Sequence, residues 1–294
     1  MMRTGLWSVV LALLVAGCAG SPVSTNYFYV GGQYVGEGSS RKLSGHMYVQ
    51  VFEPAVKKHA WPVVLVHGNS QSGNNFIGTV DGRPGWAQDF SSRGYTVYVV
   101  DQVGRGRSGT FPSLYGASGE PSISLVELLA RAPDTTFPTA RLNTQWPDKG
   151  VAGEPYFDQF LAQQMPSIRD VVKIEELNLA AHLALLEKIG PPPASVLQAS
   201  PNGPDLVPCY LQAGTPRTLP QLAKVIIGLF TAEASLRTAS DHCNALFLHQ
   251  AGVKVDHVRL SEVGVRGNGH MMMLEKNSSE VAGAIMGWSE GKGL

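Results

Sequence analysis

The first hundred residues alternate between apolar and polar side chains in a pattern that predicts β-structure. Residues 26–36 (NYFYVGGQYVG) and 46–54 (HMYVQVFEP) alternate around glycine and serine, which predicts a hairpin. Two near-continuous apolar runs follow at 61–68 (WPVVLVHG) and 94–102 (GYTVYVVDQ), as is typical of strands covered on both faces. Because the GWAQDFSSRG stretch between them predicts a short helix, the order of elements indicates parallel pairing and an α/β fold.

The pattern changes in the middle of the chain. Residues 110–166 are rich in proline, glycine, serine and threonine and lack a steady period. A segment this long inside a compact domain is usually functional, so we interpret it as a cap or lid over a pocket. The capping-box sequence Ser167-Ile168-Arg169-Asp170 then predicts a helix that runs to Gly190. A strand near 224–231, a later strand and a final helix complete the predicted order.

Composition narrows the class of protein. The chain has 294 residues, of which 44% are apolar and 16% charged, enough for one large core and at most two domains. The 23 basic and 23 acidic side chains give a formal net charge of +0, and no basic block occurs along the chain. A nucleic-acid partner is therefore not expected.

The N-terminal residues 1–20 predict an export signal. They carry one arginine, an apolar stretch and then small residues, a pattern too short for a spanning helix. Val15-Ala16-Gly17-Cys18 is similar to a bacterial lipobox, in which Cys18 would be lipidated and would anchor the protein to a membrane. Ordinary cleavage near Gly20 is the alternative. The remainder, 21–294, is predicted to be one secreted or periplasmic domain.

Export also affects the two remaining cysteines. An oxidising compartment allows Cys209 and Cys243 to pair, so we expect a disulfide between them, with two buried thiols as the alternative. The sequence shows none of the paired histidine and carboxylate spacing that is typical of a metal site. No metal and no cofactor are expected.

Three motifs carry a family resemblance. His67-Gly68 ends one predicted strand, residues 94–108 read GYTVYVVDQVGRGRS, and residues 263–277 read VGVRGNGHMMMLEKN. Together they resemble the α/β-hydrolase superfamily, and the G-N-x-H-M-M-M run is similar to the histidine loop of a group of secreted bacterial and fungal esterases. The resemblance implies a mostly parallel sheet flanked by helices and hydrolysis of small carboxylic esters.

The resemblance also implies roles for individual residues. His270 would be the general base, because an imidazole can take and return a proton near neutral pH. Gly68, Asn69 and Ser70 would direct backbone N–H groups at a developing oxyanion, which makes Ser70 part of a turn rather than the nucleophile. Glu233 stands at the common position of the acid that orients the histidine. The related esterases place a glutamate one strand earlier, so this assignment stays open.

The nucleophile is where the sequence departs from the family. After the helix that ends at Gly190, the fold requires its fifth strand, a sharp turn bearing serine, a helix and another strand, about 45 residues in all. Only residues 191–223 are available, and they contain no G-x-S-x-G. Ser200 is followed by Pro201, which has no N–H to donate to an oxyanion, a loss of about 3–4 kcal/mol in transition-state stabilisation. We therefore expect the nucleophile strand and its turn to be truncated.

Two hypotheses follow from these residues. One is an exported serine esterase whose nucleophile is unidentified or non-standard, and the other is a catalytically inactive α/β-hydrolase-like binding protein or a truncated gene product. Ancestry favours the first, and the missing serine motif favours the second.

Overall fold

The computed structural model describes residues 24–189 and 222–294, together with Cys209, Leu211, Pro216 and residues 218–220. The predicted signal with Cys18, and Ser200 with its neighbours, lie outside the described residues.

The N-terminal half forms a four-stranded sheet. Strand β1 (Ser24–Val35) pairs antiparallel with β2 (Lys42–Glu53), which confirms the predicted hairpin. Strand β3 (Val63–Leu65) pairs parallel with β4 (Val97–Asp101), and β4 also pairs antiparallel with β2, giving the order β1-β2-β4-β3. The parallel pair confirms the predicted strand, helix, strand unit.

Two helices connect β3 to β4. A short helix, α1 (Asn74–Ile77), follows the loop after β3, and α2 (Trp86–Ser92) occupies the stretch where a helix was predicted. The indole of Trp86 donates a hydrogen bond to the backbone oxygen of Ser278 at 2.9 Å, which ties α2 to the C-terminal part of the chain.

The segment between β4 and the long helix is folded rather than irregular. It contains helices α3 (Pro112–Tyr115), α4 (Ile123–Arg131) and α5 (Pro155–Ala162), and the two-residue strands β5 (Ser118–Gly119) and β6 (Ser167–Ile168) pair antiparallel. A separate apolar cluster joins this segment to the histidine loop, and it contains Val126, Ala130, Trp146, Phe157, Phe160, Met271 and Leu274.

Helix α6 (Val171–Ile189) begins later than the sequence predicted. Asp170, not Ser167, caps it, because the Asp170 carboxylate accepts the backbone N–H of Lys173 at 3.0 Å. Ser167 lies in β6 and directs its hydroxyl at the loop after β3. The capping-box prediction was therefore wrong by three residues, since Ser167 has a tertiary role instead.

The C-terminal half forms a second, two-stranded sheet. Strand β7 (Ile227–Thr231) pairs parallel with β8 (Val255–Arg259), and helix α7 (Asp241–Gln250) connects them. Helix α8 (Ser278–Gly291) ends the described chain and packs against α2. One buried core joins both sheets, and it includes Phe52, Leu65, Trp86, Val97, Phe230, Leu260, Val281 and Ile285.

Strands β3 and β7 belong to separate sheets. In the α/β-hydrolase fold implied by the sequence, the nucleophile strand would lie between them, and no described residue forms a strand there. No helix among the described residues has the length and apolar character needed to cross a membrane.

A disulfide joins Cys209 to Cys243, as the sequence predicted, and fastens α7 to the chain that precedes β7. The bond closes a loop across 34 positions of sequence.

Removing this disulfide is expected to destabilise the protein. Closing a loop of this size lowers the entropy of the unfolded chain and contributes about 3–4 kcal/mol to the free energy of unfolding. The double variant C209S/C243S should therefore unfold at lower urea concentration than the oxidised protein. Identical unfolding midpoints for the two proteins would contradict the expectation.

Candidate active site

The loop after β3 is held by a buried neutral histidine. His67 Nε2 accepts the backbone N–H of Gln102 at 3.0 Å, and its Nδ1 lies 2.9 Å from the oxygen of Gly68. Burial lowers the pKa of His67 to about 4, so the ring is uncharged at neutral pH. Because Nε2 accepts a hydrogen bond, Nδ1 carries the proton and donates to Gly68 O. Together the two contacts fix the position at which the chain turns.

Ser70 occupies a left-handed backbone conformation in this loop. Its φ is +56°, and it is the one non-glycine residue with positive φ in the described part of the chain. Ser70 N donates to the hydroxyl of Ser167 at 3.2 Å, and the two hydroxyl oxygens lie 3.0 Å apart. The Ser70 amide and hydroxyl are therefore already used, and neither contacts His270.

Asn69 and Gly68 complete the turn. Asn69 Oδ1 accepts from Ser167 Oγ at 2.8 Å and from Arg105 Nη2 at 2.7 Å, which fixes the side chain. The backbone N–H groups of Gly68 and Asn69 donate to no described residue. A Cβ placed on Gly68 would meet no atom within 4 Å, so the space beside it is open. Of the three predicted oxyanion amides, two are thus available.

The histidine loop is built around a buried carboxylate. Glu275 accepts Gly269 N at 2.8 Å and Asn268 Nδ2 at 2.8 Å, and it is fully buried. A Cβ on Gly269 would collide with Asn143 Nδ2, so glycine suits the close approach of this loop to Asn143. Burial raises the pKa of Glu275 to about 7, although its N–H donors favour the charged form.

His270 lies directly after this turn and contacts a serine. Its Nδ1 is 3.2 Å from the hydroxyl oxygen of Ser235, which follows β7 and is buried. Its Nε2 has no hydrogen-bond partner among the described residues. Burial, and after it the charge of Arg237, lowers the pKa of His270, so the ring is neutral at neutral pH.

Glu233 does not contact the imidazole. One carboxylate oxygen accepts from Arg266 Nη1 at 3.1 Å and the other accepts the backbone N–H of Gly267 at 3.0 Å. Glu233 therefore holds the start of the histidine loop, and Ser235, two residues later, occupies the place expected for the orienting acid. The position after β7 indicated in the sequence where the orienting group would lie. The residue type did not identify Ser235, because serine is not an acid.

These elements enclose a cavity of about 510 Å³. It is lined by the loop after β3, the α4 side chains Leu125 and Leu129, the end of β7, and the histidine loop with His270. The structure thus brings Gly68, Asn69, Ser70 and His270 to one cavity. Arg237 also lines it and pairs with Asp241 at 3.4 Å, so the two charges offset each other.

The described residues contain one group with metal-ligand types. Within the described ranges, Cys209, His242 and Cys243 place ligand-type atoms within 4.8 Å of one another, but the two sulfurs are joined in the disulfide. A disulfide sulfur is not the thiolate that binds zinc.

Comparison with known proteins decides the family. No protein-family model matches the chain. A fungal protein from Fungal sp. (strain ATCC 74256), described as "Probable secreted lipase phiG", is 32% identical, with 92% of this chain and 90% of the relative covered. The chain belongs to this family of lipases and esterases. It is a member of the α/β-hydrolase superfamily, and the relatives that show this are described as a lipase and an esterase.

A solved structure supports the same assignment. The chain resembles one described as a novel bacterial esterase, at 25% identity and a TM-score of 0.64, with 94% of this chain and 99% of the other covered. The alignment with the fungal lipase runs over 337 positions, more than the 294 residues present here. The lipase therefore carries segments that have no counterpart in this esterase-family chain.

The buried carboxyl of the histidine loop should make stability depend on pH. The pKa of Glu275 rises from 4.5 in the unfolded chain to about 7 in the folded one, so its contribution is fully present below about pH 4.5 and is lost as the pH rises through 7. Glu275→Gln cannot ionise. Relative to this variant, the free energy of unfolding of the parent should fall by up to about 3 kcal/mol between pH 5 and pH 8.5.

Urea unfolding of both proteins at the two pH values measures this difference. If the parent and E275Q show the same dependence on pH, ionisation of Glu275 does not act on stability.

Proposed function

We propose that this chain is an exported hydrolase of small carboxylic esters and that His270 is its general base. The observation that carries the proposal is the placement of His270: its Nδ1 contacts Ser235, its Nε2 has no described partner, and it shares a cavity with the loop after β3. An imidazole fixed through one nitrogen and free at the other can accept a proton from a nucleophile.

The cavity suits an ester with a modest apolar group. Its volume of about 510 Å³ falls within the range of small-molecule sites, and its lining includes Phe76, Leu125, Leu129 and Met272. Since Arg237 and Asp241 pair with each other, the lining offers no strong net charge for an ionic substrate.

Water is the nucleophile that the described residues support. The Ser70 hydroxyl contacts Ser167 and the Ser235 hydroxyl contacts Nδ1 of His270, while Ser200 lies outside the described residues. No other serine hydroxyl makes a described hydrogen bond to His270. Nε2 of His270 can take a proton directly from a water molecule, so attack by water needs no serine beside this nitrogen.

The reaction then has two steps. In the first, the water oxygen bonds to the ester carbonyl carbon while Nε2 takes its proton, and the carbonyl electron pair moves onto oxygen. The amides of Gly68 and Asn69, which donate to no described residue, would stabilise that oxyanion. In the second, the intermediate releases the alcohol, which takes the proton from Nε2, and a carboxylic acid remains.

Binding without turnover is the second candidate. It is favoured by the lack of a described serine beside Nε2, since attack by water alone lacks the covalent intermediate that divides the reaction into easier steps.

His270→Ala should abolish most ester hydrolysis. A positioned general base contributes about 10²- to 10⁴-fold, so the rate of p-nitrophenyl butyrate hydrolysis should fall by at least about 100-fold. His249→Ala is the matched control, because His249 is exposed in the last turn of α7 and does not line the cavity.

A serine-directed fluorophosphonate probe with mass mapping separates the mechanisms. Turnover that requires His270 and leaves every serine unlabelled supports attack by water, whereas labelling of Ser200 or Ser70 with loss of activity would overturn it. Saturable ester binding without turnover in the parent protein would instead establish the second candidate.

Export is part of the proposal, supported by residues 1–20 and by the description of the fungal relative as secreted. Anchoring through Cys18 is the finer form. The mass of the mature N-terminus tests it: a diacylated Cys18 is expected for an anchored protein, and a chain that begins near Ser21 would refute anchoring.

A further inference from the structure

We propose that Ser235 is the positioning residue of His270: its hydroxyl takes the place of a carboxylate, accepts a hydrogen bond from Nδ1–H and holds Nε2 toward the cavity as the basic nitrogen. This inference rests on the proposed function for its consequence in catalysis. The contacts that place Ser235 beside His270 do not depend on that function.

The first argument is the identity of the nitrogen. Ser235 Oγ lies 3.2 Å from Nδ1, the nitrogen through which a carboxylate orients histidine in a hydrolase triad. Ser235 also follows β7, the place at which the sequence predicted that acid. A nucleophilic serine would instead face Nε2, so the contact assigns an orienting role to Ser235.

The second argument is that the Ser235 side chain cannot readily turn away. Its hydroxyl accepts the backbone N–H of Arg237 at 3.2 Å. Its backbone oxygen accepts Thr238 N at 3.0 Å and Thr238 Oγ1 at 2.7 Å, and its backbone N–H donates to the oxygen of Ala232 at 3.2 Å. With four hydrogen bonds within its own turn and only 5% exposure, Ser235 presents a fixed oxygen to the ring.

The third argument is that the turn and the histidine loop are joined. The backbone N–H of Ala234 donates to the oxygen of Asn268 at 2.8 Å, and these residues lie one position before Ser235 and two positions before His270. Glu233 holds Gly267 N at 3.0 Å in the same region. These two contacts hold the turn after β7 against the histidine loop. The distance between Ser235 and His270 is therefore not set by their two side chains alone.

The fourth argument concerns charge. The carboxylates near the ring are each committed elsewhere: Glu233 to Arg266, Asp241 to Arg237, and Glu275 to the amide of Gly269. Burial lowers the pKa of His270 first, and Arg237, although it pairs with Asp241, is the charge that lowers it further and disfavours the imidazolium. A hydroxyl can orient the ring, but it adds no negative charge to stabilise the protonated form.

Nitrogen-15 NMR of histidine-labelled mature protein tests the proposal without requiring turnover. In the parent protein, His270 should be mainly the tautomer protonated at Nδ1. Ser235→Ala should redistribute the two tautomers and lower kcat for p-nitrophenyl butyrate about tenfold, with little change in KM, because one orienting hydrogen bond is lost. Ser235→Asp should raise the pKa of His270 by about one to three pH units.

The matched control is Ser240→Ala in the following turn, at the start of α7, where the hydroxyl donates to the oxygen of Arg237 at 3.3 Å and does not contact the ring. It should leave the tautomers and the titration of His270 unchanged. Ser235→Asp keeps an acceptor for Arg237 N–H, so it provides the readout even if the alanine variant does not fold. An unchanged titration of His270 in S235D, or unchanged tautomers in a folded S235A, would overturn the proposal.

The two proposals fail separately. If the NMR changes occur in a protein that hydrolyses no ester, the role of Ser235 stands and hydrolysis is refuted. If hydrolysis requires His270 but Ser235→Ala changes neither the tautomers nor kcat, hydrolysis stands and the role of Ser235 is refuted.

Discussion

Among the described residues, apolar packing rather than strand pairing holds the two halves of the candidate site together. The loop with Gly68 follows β3 and the turn with Ser235 follows β7, and these strands lie in separate sheets. The core that joins the sheets contains Leu65 of β3 and Phe230 of β7, and Phe230 packs edge to face on Trp288 of α8 at 5.7 Å between ring centroids. Because the oxyanion loop and the base come from different sheets, their separation depends on how this core packs.

The elements that the sequence predicted well are those whose signal is local. The hairpin, the parallel pair of β3 and β4, and the final strand and helix each follow from apolar periodicity in a short stretch of chain. The predicted disulfide followed from counting cysteines in an exported protein. The helix start at Ser167 was wrong because Ser167 has a distant hydrogen-bond partner, the Ser70 amide, which no pattern near position 167 reveals.

The candidate site shows the same division. His270 and the Gly68 loop lie in recognisable motifs, and the structure brings them to one cavity. The orienting group was expected to be an acid, so Glu233 was the natural choice within its segment. Arg266 and Gly267 N bind that carboxylate, which leaves Ser235 to face the ring. The sequence does not distinguish a serine that orients a histidine from other serines, since most buried serines only make local hydrogen bonds.

Residues 110–166 pack against the loop that carries His270, and this restricts how a molecule could enter. Met271 and Leu274 pack in one cluster with Trp146 and Phe157, so any displacement of residues 110–166 as a rigid body would uncover the residues that flank His270. Helix α4, by contrast, faces the cavity through Leu125, which is 40% exposed. Rotation of such exposed side chains takes picoseconds to nanoseconds. Small molecules are therefore expected to enter past α4 by side-chain rotation, and bulky esters that need a wider doorway are expected to be excluded.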